Sequence, residues 1–230
     1  MQASSFAKEL NMQRFFDILF SGIAIIVFSP LLLITMLILK CTGEHEVFYL
    51  QRRMGKGGKP FGIIKFATML KNSMNMGAGG VTVRNDPRIL PVGRILRKTK
   101  INELPQLFNI FIGQMSIVGW RPLVVASYEK YSDEVKSHIS TVLPGLSGVG
   151  SIIFRDEEKY YQDLQNPHEF YDKVILPYKG EVEIWYVQHK NIVLYFKVII
   201  LTVISVFNPK SNLYLKWFKD LPERPAELPL

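Results

Sequence analysis

The sequence is poor in cysteine, in histidine and in acidic residues. Its single cysteine, Cys41, excludes an internal disulfide and fits a body that faces a reducing compartment. The 4 histidines show no paired spacing, so we expect no zinc site. With 28 lysines and arginines against 20 aspartates and glutamates, the formal net charge is +8. A protein with this charge suits partners of high negative charge density, namely nucleic acid, anionic lipid or phosphorylated substrates.

Positive charge is the only feature that favours nucleic acid, because no recognition motif accompanies it. We therefore expect no nucleic-acid partner. No internal repeat is evident either. A chain of 230 residues is long enough for one well-packed domain with appendages. We expect that domain to be joined to a membrane element.

Charge is absent from one long hydrophobic stretch near the N-terminus. Residues Ile18 to Leu39 carry no formal charge, and a helix needs about 20 such residues to cross a bilayer. We do not expect a signal peptide, since the run is long and no small-residue cleavage site follows it. The stretch is therefore expected to be a retained membrane segment.

Ser29-Pro30 lies in the middle of this stretch. Proline removes one backbone hydrogen bond and clashes with the carbonyl four residues back, so we expect a bend in mid-membrane. Length favours a kinked helix that spans the bilayer. Basic residues on both sides favour a re-entrant helix-break-helix with both ends in the cytoplasm. These flanking residues are Lys8, Arg14, Lys40, Arg52, Arg53, Lys56 and Lys59.

A hairpin is predicted after the membrane segment. Residues 46–53 and 60–66 are aromatic and β-branched, and a turn rich in glycine and lysine separates them. A P-loop is not expected, because Pro60 stands where that loop needs Ser or Thr. Residues 72–80 predict a loop that could close over a substrate.

A basic cluster precedes a predicted amphipathic helix. Apolar residues recur at helical spacing from Leu104 to Phe111, which predicts a helix over about residues 100–112. Asn102 and Glu103 lie in its first turn, where open amides and the helix dipole attract phosphate. The basic cluster is either a solvated face or an anion cradle. It comprises Arg94, Arg97, Lys98 and Lys100.

The C-terminal part contains a second apolar run. Val193 to Phe207 is too short to span a membrane, so we expect a helix that lies on the bilayer or docks on the core. The proline-rich residues 221–230 predict an irregular tail.

In their order along the chain, these features resemble one family, the bacterial sugar transferases, which are small monotopic phosphoglycosyl transferases acting on polyprenyl phosphate. The resemblance runs from about Arg14 to Phe207. No single motif is specific, but their order and spacing together are. They are the apolar segment with Ser29-Pro30, Gln51-Arg-Arg-Met-Gly55, Lys65-Phe-Ala-Thr-Met69, Asp86-Pro-Arg88, Gly93-Arg94, Leu96-Arg97, Glu103-Leu-Pro-Gln-Leu107, Asn109, Met115-Ser116, Val118-Gly119 and Arg121-Pro122.

The resemblance implies an α+β, mainly helical fold at the bacterial inner membrane. A re-entrant membrane helix-break-helix would carry a small cytoplasmic α/β catalytic domain and amphipathic helices lying on the surface. We expect an N-terminal extension over 1–13 and a re-entrant element over 14–41, broken at Ser29-Pro30. The sugar-transferase domain would cover 42–207 and a tail 208–230. The protein could also form a homo-oligomer.

The activity implied is transfer of a phosphosugar from a nucleoside-diphosphate sugar, expected to be a UDP-sugar, to a polyprenyl phosphate. UMP would leave, and the reaction would be the first membrane step of surface polysaccharide or glycan assembly. The family uses Mg²⁺ and an Asp-Glu pair, in which the aspartate attacks phosphorus and the glutamate helps to bind the metal. By this match Glu103 and Asn102 are the expected catalytic residues, and Glu103 is the expected metal ligand.

The donor's diphosphate needs cations around it, and arginine can hold phosphate oxygens in pairs. The expected phosphate-binding residues are Arg88, Arg97, Arg121 and Lys65.

Asn102 stands where the family has its nucleophilic aspartate. An amide oxygen carries no full charge, so the covalent mechanism cannot be transferred unchanged. Glu103 could act as nucleophile or metal ligand in an altered mechanism, or the acceptor phosphate could attack directly while Asn102 binds a phosphate oxygen. The chain could also be an inactive relative that serves as a membrane-bound adaptor. Glu103 and the arginines favour activity. Gln114, Trp120 and Val149 are further departures from the family pattern.

Overall fold

The computed structural model describes residues 2–73, 76, 86–155, 157–160, 166–208 and 211–228. The chain forms two compact units whose segments alternate in sequence. Unit 1 comprises Met1–Asp17, Arg53–Phe61 and Gly113–Leu230, and unit 2 comprises Ile18–Arg52 and Gly62–Ile112. The predicted domain boundaries, with one domain over 42–207, stay a prediction.

The structure is 58% helical with short strands, which confirms the expected mixture of helix and sheet. The strands are β1 (Phe48–Met54), β2 (Pro60–Phe66), β3 (Ser116–Val118) and β4 (Gly145–Ser147). The helices are α1 (Gln2–Cys41), α2 (Pro91–Lys98), α3 (Gln106–Phe111), α4 (Val125–Glu129), α5 (Asp133–Ile139), α6 (Val149–Ile153), α7 (Pro167–Phe170), α8 (Leu176–His189), α9 (Ile192–Phe207) and α10 (Leu213–Trp217). A π-helical turn, Tyr171–Ile175, joins α7 to α8.

Helix α1 is one element with Pro30 inside it, so the predicted interruption at Ser29-Pro30 is not present. Pro30 has no N–H for the carbonyl of Ile26, four residues back. The Ser29 hydroxyl donates to that carbonyl over 2.7 Å, which satisfies it and allows the helix to continue. Residues 2–13 also belong to this helix, and the N-terminal extension over 1–13 stays a prediction. Asn11–Cys41 is apolar enough to cross a membrane, while the re-entrant path stays a prediction.

Strands β1 and β2 form the predicted two-stranded sheet. A small core lies beside it, in which Leu32 and Leu39 of α1 meet Phe66 of β2 and Leu96 of α2. Burying these side chains stabilises unit 2 by about 1.5–3 kcal/mol for each. The sheet and α2 are thereby held against the apolar part of α1.

The single helix predicted over about 100–112 is wrong. A 3₁₀ turn, Ile101–Glu103, is followed by the separate helix α3. Pro105 cannot donate a hydrogen bond to the carbonyl of Ile101, so no continuous α-helical ladder forms. Leu107 is buried as expected, but Phe108 and Phe111 are exposed.

In unit 1, β3 and β4 pair in parallel, with Ser116 opposite Gly145. Buried polar bonds tie the first part of α1 to β3. The Gln13 amide donates to Ser116 Oγ over 2.7 Å. The Asp17 carboxylate accepts from the Ile117 N–H and from the Tyr195 hydroxyl, each over 2.9 Å. These bonds join residues far apart in sequence, so α1 is anchored by tertiary contacts.

The C-terminal expectations are met in part. Helix α9 buries Leu194, Tyr195 and Val198 and exposes Val203 and Phe207, among others. It therefore docks on the core with one face and leaves an apolar face open. The tail contains helix α10 and is without helix or strand over 221–225. The predicted loop over 72–80 lies largely outside the described residues.

Candidate active site

The candidate site in unit 2 begins with Lys65, near the end of β2. Its Nζ lies 3.6 Å from Oε1 of Glu103, and the two side chains are 18% and 21% exposed. A cation at this distance stabilises the charged form of the carboxylate. The structure thus brings together two of the residues predicted to act on the donor.

Asn102 precedes Glu103 in the 3₁₀ turn and is only 8% exposed. Its Oδ1 is buried and has no hydrogen-bond partner within the described part of the chain. A buried acceptor without a partner costs about 1–3 kcal/mol. The amide oxygen is therefore an acceptor suited to a ligand's hydroxyl or to a cation.

Arg97 is held near the segment that follows β2. Helix α2 approaches that segment so closely that a Cβ at Gly93 would come within 2.2 Å of the carbonyl oxygen of Thr68. The Leu90 N–H bonds the same carbonyl over 3.0 Å. Arg97 then reaches the Thr68 hydroxyl with a long bond of 3.5 Å and stays half-buried. Its guanidinium is partly accessible to an anion.

Arg88 is placed differently from the other predicted phosphate-binding residues. It forms an ion pair of 2.6 Å with Asp86, and the two side chains are 5% and 1% exposed. It also donates to the carbonyl oxygens of Ser73 and Met76 over 2.6 and 2.8 Å. To bind a phosphate, Arg88 would have to leave these partners, and its phosphate role stays a prediction.

A magnesium ion prefers oxygen ligands and usually takes one or two carboxylates, with phosphates and waters completing its shell. Among the residues that the structure describes, no group of three or more His, Cys, Asp or Glu side chains comes together. Glu103 and the unpartnered Oδ1 of Asn102 are adjacent oxygen donors of the required kind. This donor set fits a magnesium ion that is shared with substrate phosphates.

Arg121 belongs to unit 1, where it follows β3 and is exposed. The preceding Trp120 is buried and donates from Nε1 to the carbonyl of Val142 over 3.3 Å. The backbone N–H of Arg121 points to Glu183 of α8, whose Oε1 lies 3.4 Å away. Burial raises the pKa of Glu183 to about 8, while this N–H and the charges of Lys179 and Arg121 act in the opposite direction.

The sequence motifs contain Thr68 and Asp86 but did not indicate that these residues contact Arg97 and Arg88. The sequence analysis did not name Glu183. For Glu183 a signal was present, because the acid stands in the apolar run Val182-Glu-Ile-Trp-Tyr186. A charged side chain in such a run is seldom fully buried unless it is paired or hydrogen-bonded. No local signal marks the contact between Thr68 and Arg97, which spans 29 residues of sequence.

Residues 8–209 match the family model described as bacterial sugar transferase. The exopolysaccharide production protein ExoY of Rhizobium meliloti is 36% identical over 185 residues, which cover 71% of this chain and 81% of that protein. The UDP-glucose:undecaprenyl-phosphate glucose-1-phosphate transferase of Klebsiella pneumoniae is 33% identical over 202 residues, or 86% of this chain and 41% of that protein.

A third relative is the UDP-N-acetylgalactosamine-undecaprenyl-phosphate N-acetylgalactosaminephosphotransferase of Aeromonas hydrophila. It is 38% identical over 143 residues, which cover 61% of this chain and 34% of that protein. The chain thus spans most of the first relative and less than half of the other two. The family model covers most of the chain, and the predicted motifs fall within it. The chain belongs to the bacterial sugar transferase family.

Proposed function

We propose that this protein transfers a phosphosugar from a UDP-sugar to a polyprenyl phosphate and releases UMP. The product would be a polyprenyl diphosphate sugar, made as the first membrane step of surface polysaccharide or glycan assembly. The observation that carries the proposal is the Glu103 carboxylate, which lies 3.6 Å from the Lys65 cation in a chain of this family. Asn102, the residue before it, has a buried amide oxygen without a partner in the described chain. The names of the Klebsiella and Aeromonas relatives describe reactions of the same class.

The cationic residues neutralise the donor. Phosphoryl transfer depends mainly on positioning and on electrostatic stabilisation of the phosphate oxygens. Lys65 and Arg97 are the candidates in unit 2, since both are partly exposed and lie on rigid elements. In unit 1 the exposed Arg121 has the same chemistry, with a fork that can bind two oxygens of a phosphate.

We propose that the acceptor phosphate attacks the donor directly. The bond that forms joins an oxygen of the lipid phosphate to the phosphorus that carries the sugar, and the bond that breaks releases UMP. Asn102 is no nucleophile, because its oxygen carries no full charge. Glu103 lies 3.6 Å from the Lys65 cation, and we assign it to metal binding rather than to attack on phosphorus. Asn102 would orient the phosphates through its amide.

Glu103 and Asn102 are the residues that would hold Mg²⁺. When bound, the ion would neutralise the negative charge that develops on the diphosphate. The remaining ligands would come from phosphate oxygens and water, as is usual for this ion.

The membrane segment would keep the protein at its lipid substrate. Helix α1 exposes large apolar side chains along its apolar stretch, including Ile26, Val27, Leu33 and Leu37. We propose the bacterial inner membrane and a catalytic body facing the cytoplasm, supported by basic residues on both sides of the stretch. The same residues support a re-entrant path, which would require the continuous helix α1 to bend at Ser29-Pro30 once it is in the membrane. Cysteine labelling at Ser4 and Thr42 tests the path. Labelling from opposite faces of the membrane would contradict it.

Release of UMP from a panel of UDP-sugars, with undecaprenyl phosphate and Mg²⁺ present, tests the reaction. We expect turnover with at least one sugar and a loss of about 10²–10³-fold in Glu103→Gln, the range seen when one group that stabilises charge is removed. Glu46→Gln, on an exposed ion pair with Lys71, is the matched control and should be fully active. If no UDP-sugar of the panel gave UMP release, while a known relative was active in the same assay, the proposal would be contradicted.

Trapping distinguishes direct from covalent transfer. The full-length protein is incubated with a labelled donor, denatured and examined by intact mass spectrometry. Direct attack predicts turnover without a phosphosugar adduct. An adduct that disappears in Glu103→Gln would instead identify Glu103 as the nucleophile.

A second candidate function is a non-catalytic membrane adaptor, which is favoured by the amide at position 102. An adaptor predicts that Glu103→Ala and Arg121→Ala leave glycan production intact in cells. Loss of glycan in either variant, at normal protein levels, would exclude the adaptor.

A further inference from the structure

Glu183 is a buried acid to which the reaction above assigns no role. It is 4% exposed, and its only hydrogen bond within the described chain is the 3.4 Å contact from the Arg121 N–H. Its Oε2 has no partner there. Burying a carboxyl with so few bonds costs free energy. Packing alone would be better served by an apolar residue, so the acid points to a functional role.

The carboxyl group occupies space that a glycine leaves open. A Cβ at Gly150, in helix α6, would come within 2.5 Å of Glu183 Oε1. The neighbouring Val149, Ile152 and Ile153 are buried, so this helix cannot easily shift away. The missing side chain of Gly150 therefore leaves the space that the Glu183 carboxyl occupies beside the backbone of Arg121.

Charged and titratable groups face Glu183 from several elements. Arg121 lies after β3, and Lys179 lies one turn earlier on α8. Lys179 is itself paired with Glu157. The phenols of Tyr131 and Tyr186 are near enough to interact with the charge of Glu183.

These surroundings leave the carboxyl mostly neutral at pH 7. Burial is the largest influence and raises the pKa of Glu183 to about 8, although the Arg121 N–H and the charges of Lys179 and Arg121 favour the ionised form. A neutral acid does not attract a guanidinium strongly, whereas a carboxylate does. The charge of Arg121 acts on this carboxyl, so the two groups are near enough to interact.

We propose that Glu183 is a positioning residue for Arg121. Uncharged, it holds the backbone of Arg121 and leaves the guanidinium to the diphosphate of the donor. Charged, it competes with the diphosphate for that guanidinium. Two observations support separate roles for the backbone and the side chain of Arg121. The preceding Trp120 is buried and fixes the backbone, whereas the Arg121 side chain is exposed. This inference rests on the proposed function only in taking Arg121 as a phosphate-binding residue.

Binding of inorganic pyrophosphate to the full-length protein in nanodiscs, measured by calorimetry at pH 7 and pH 9, tests the inference. The wild type is compared with Glu183→Gln, which mimics the neutral acid at both pH values. Between pH 7 and pH 9 the fraction of wild-type protein with a neutral Glu183 falls from about nine tenths to about one tenth. The wild type should therefore lose about tenfold more affinity for pyrophosphate than Glu183→Gln does. In assays, the KM for the UDP-sugar should show the same difference while kcat changes equally in both proteins.

Equal losses of affinity in the two proteins would overturn the inference. Since pyrophosphate titrates identically in both samples, its own ionisation cancels. Binding is measured without turnover, so a protein that is inactive but shows the difference contradicts the proposed reaction alone. An active protein without the difference contradicts the role of Glu183 alone.

Gly150→Ala is a second variant in case Glu183→Gln does not fold. Its methyl group would displace Oε1 from the Arg121 N–H. We expect severalfold weaker pyrophosphate binding at pH 7. Gly62→Ala is the control, because its Cβ would make only an ordinary contact of 3.6 Å with Leu50. Unchanged binding in Gly150→Ala would overturn the inference.

Discussion

Asp86 in unit 2 and Glu183 in unit 1 are both buried acids near an arginine, yet their surroundings differ. Asp86 accepts three bonds from Arg88, from its backbone N–H over 3.0 Å, from Nε over 2.8 Å and from a terminal nitrogen over 2.6 Å. Glu183 accepts one bond of 3.4 Å from a backbone N–H and keeps an oxygen without a partner in the described chain.

The difference indicates that Asp86 stabilises the fold, whereas Glu183 has the properties of a functional residue. A buried charge pair with all its bonds made holds its segments in place, and its removal is costly. A buried acid with few bonds is destabilising unless its protonation shifts, and such groups occur often at functional sites. Sequence motifs alone placed Arg88 and Arg121 in the same class of phosphate-binding residue.

The largest effect is expected from breaking the pair in unit 2. Asp86→Asn removes the negative charge and leaves the buried guanidinium of Arg88 uncompensated, which should lower the free energy of unfolding by about 3–5 kcal/mol. Thermal and denaturant unfolding in detergent micelles measure it. Glu46→Gln, in the exposed pair with Lys71, should cost no more than about 1 kcal/mol. Similar losses in both variants would contradict the contrast.

A smaller effect is expected from the pH dependence of stability. Burial raises the pKa of Glu183 from 4.5 to about 8, so between these values the folded state binds more protons than the unfolded state. Stability should then fall as pH rises, by about 1.4 kcal/mol per pH unit within this window. Glu183→Gln should remove that part of the slope.

Glu181→Gln, at an exposed position of the same helix, is the matched control and should keep the wild-type slope. Unfolding midpoints recorded at pH 6, 7 and 8 provide the measurement. A Glu183→Gln variant with an unchanged slope would show that Glu183 is ionised throughout, and the contrast with Asp86 would be lost.

The smallest effect concerns a backbone acceptor in α1. Ser29→Ala removes the hydroxyl that bonds the Ile26 carbonyl, and we expect a loss of about 1 kcal/mol. In a Pro30→Ala background the backbone N–H of residue 30 supplies this bond, so Ser29→Ala should cost little. A double-mutant cycle on unfolding midpoints measures the coupling. No coupling would mean that the hydroxyl does not support the helix.

Several features could be predicted because their signals are local. The uncharged run from Ile18 to Leu39 indicated the long apolar helix, and the glycine and lysine turn before Pro60 indicated the hairpin. The family followed from many short motifs in order, which the match over residues 8–209 bears out. Proline was misjudged twice: Pro30 does not interrupt α1, whereas Pro105 does divide the predicted helix.

The candidate site was predicted by residue type but not by arrangement. Lys65 and Glu103 were both named, and their approach to 3.6 Å needed the folded chain. The burial of Arg88 among carbonyl groups could not be inferred from the Asp-Pro-Arg motif. Spacing along a chain reports helical and strand faces, but it does not report which distant segment packs against them.

The sequence by itself determined that this protein has a helix apolar enough to cross a membrane, a basic net charge and the residues of a sugar transferase with asparagine at position 102. These follow from composition and short spacings. Only the tertiary structure decided that Gln13 meets Ser116 across 103 residues, that Arg88 is enclosed and that Glu183 lies in the space beside Gly150. Burial and hydrogen bonding depend on which segments meet, and those properties set the charge state and the availability of each group.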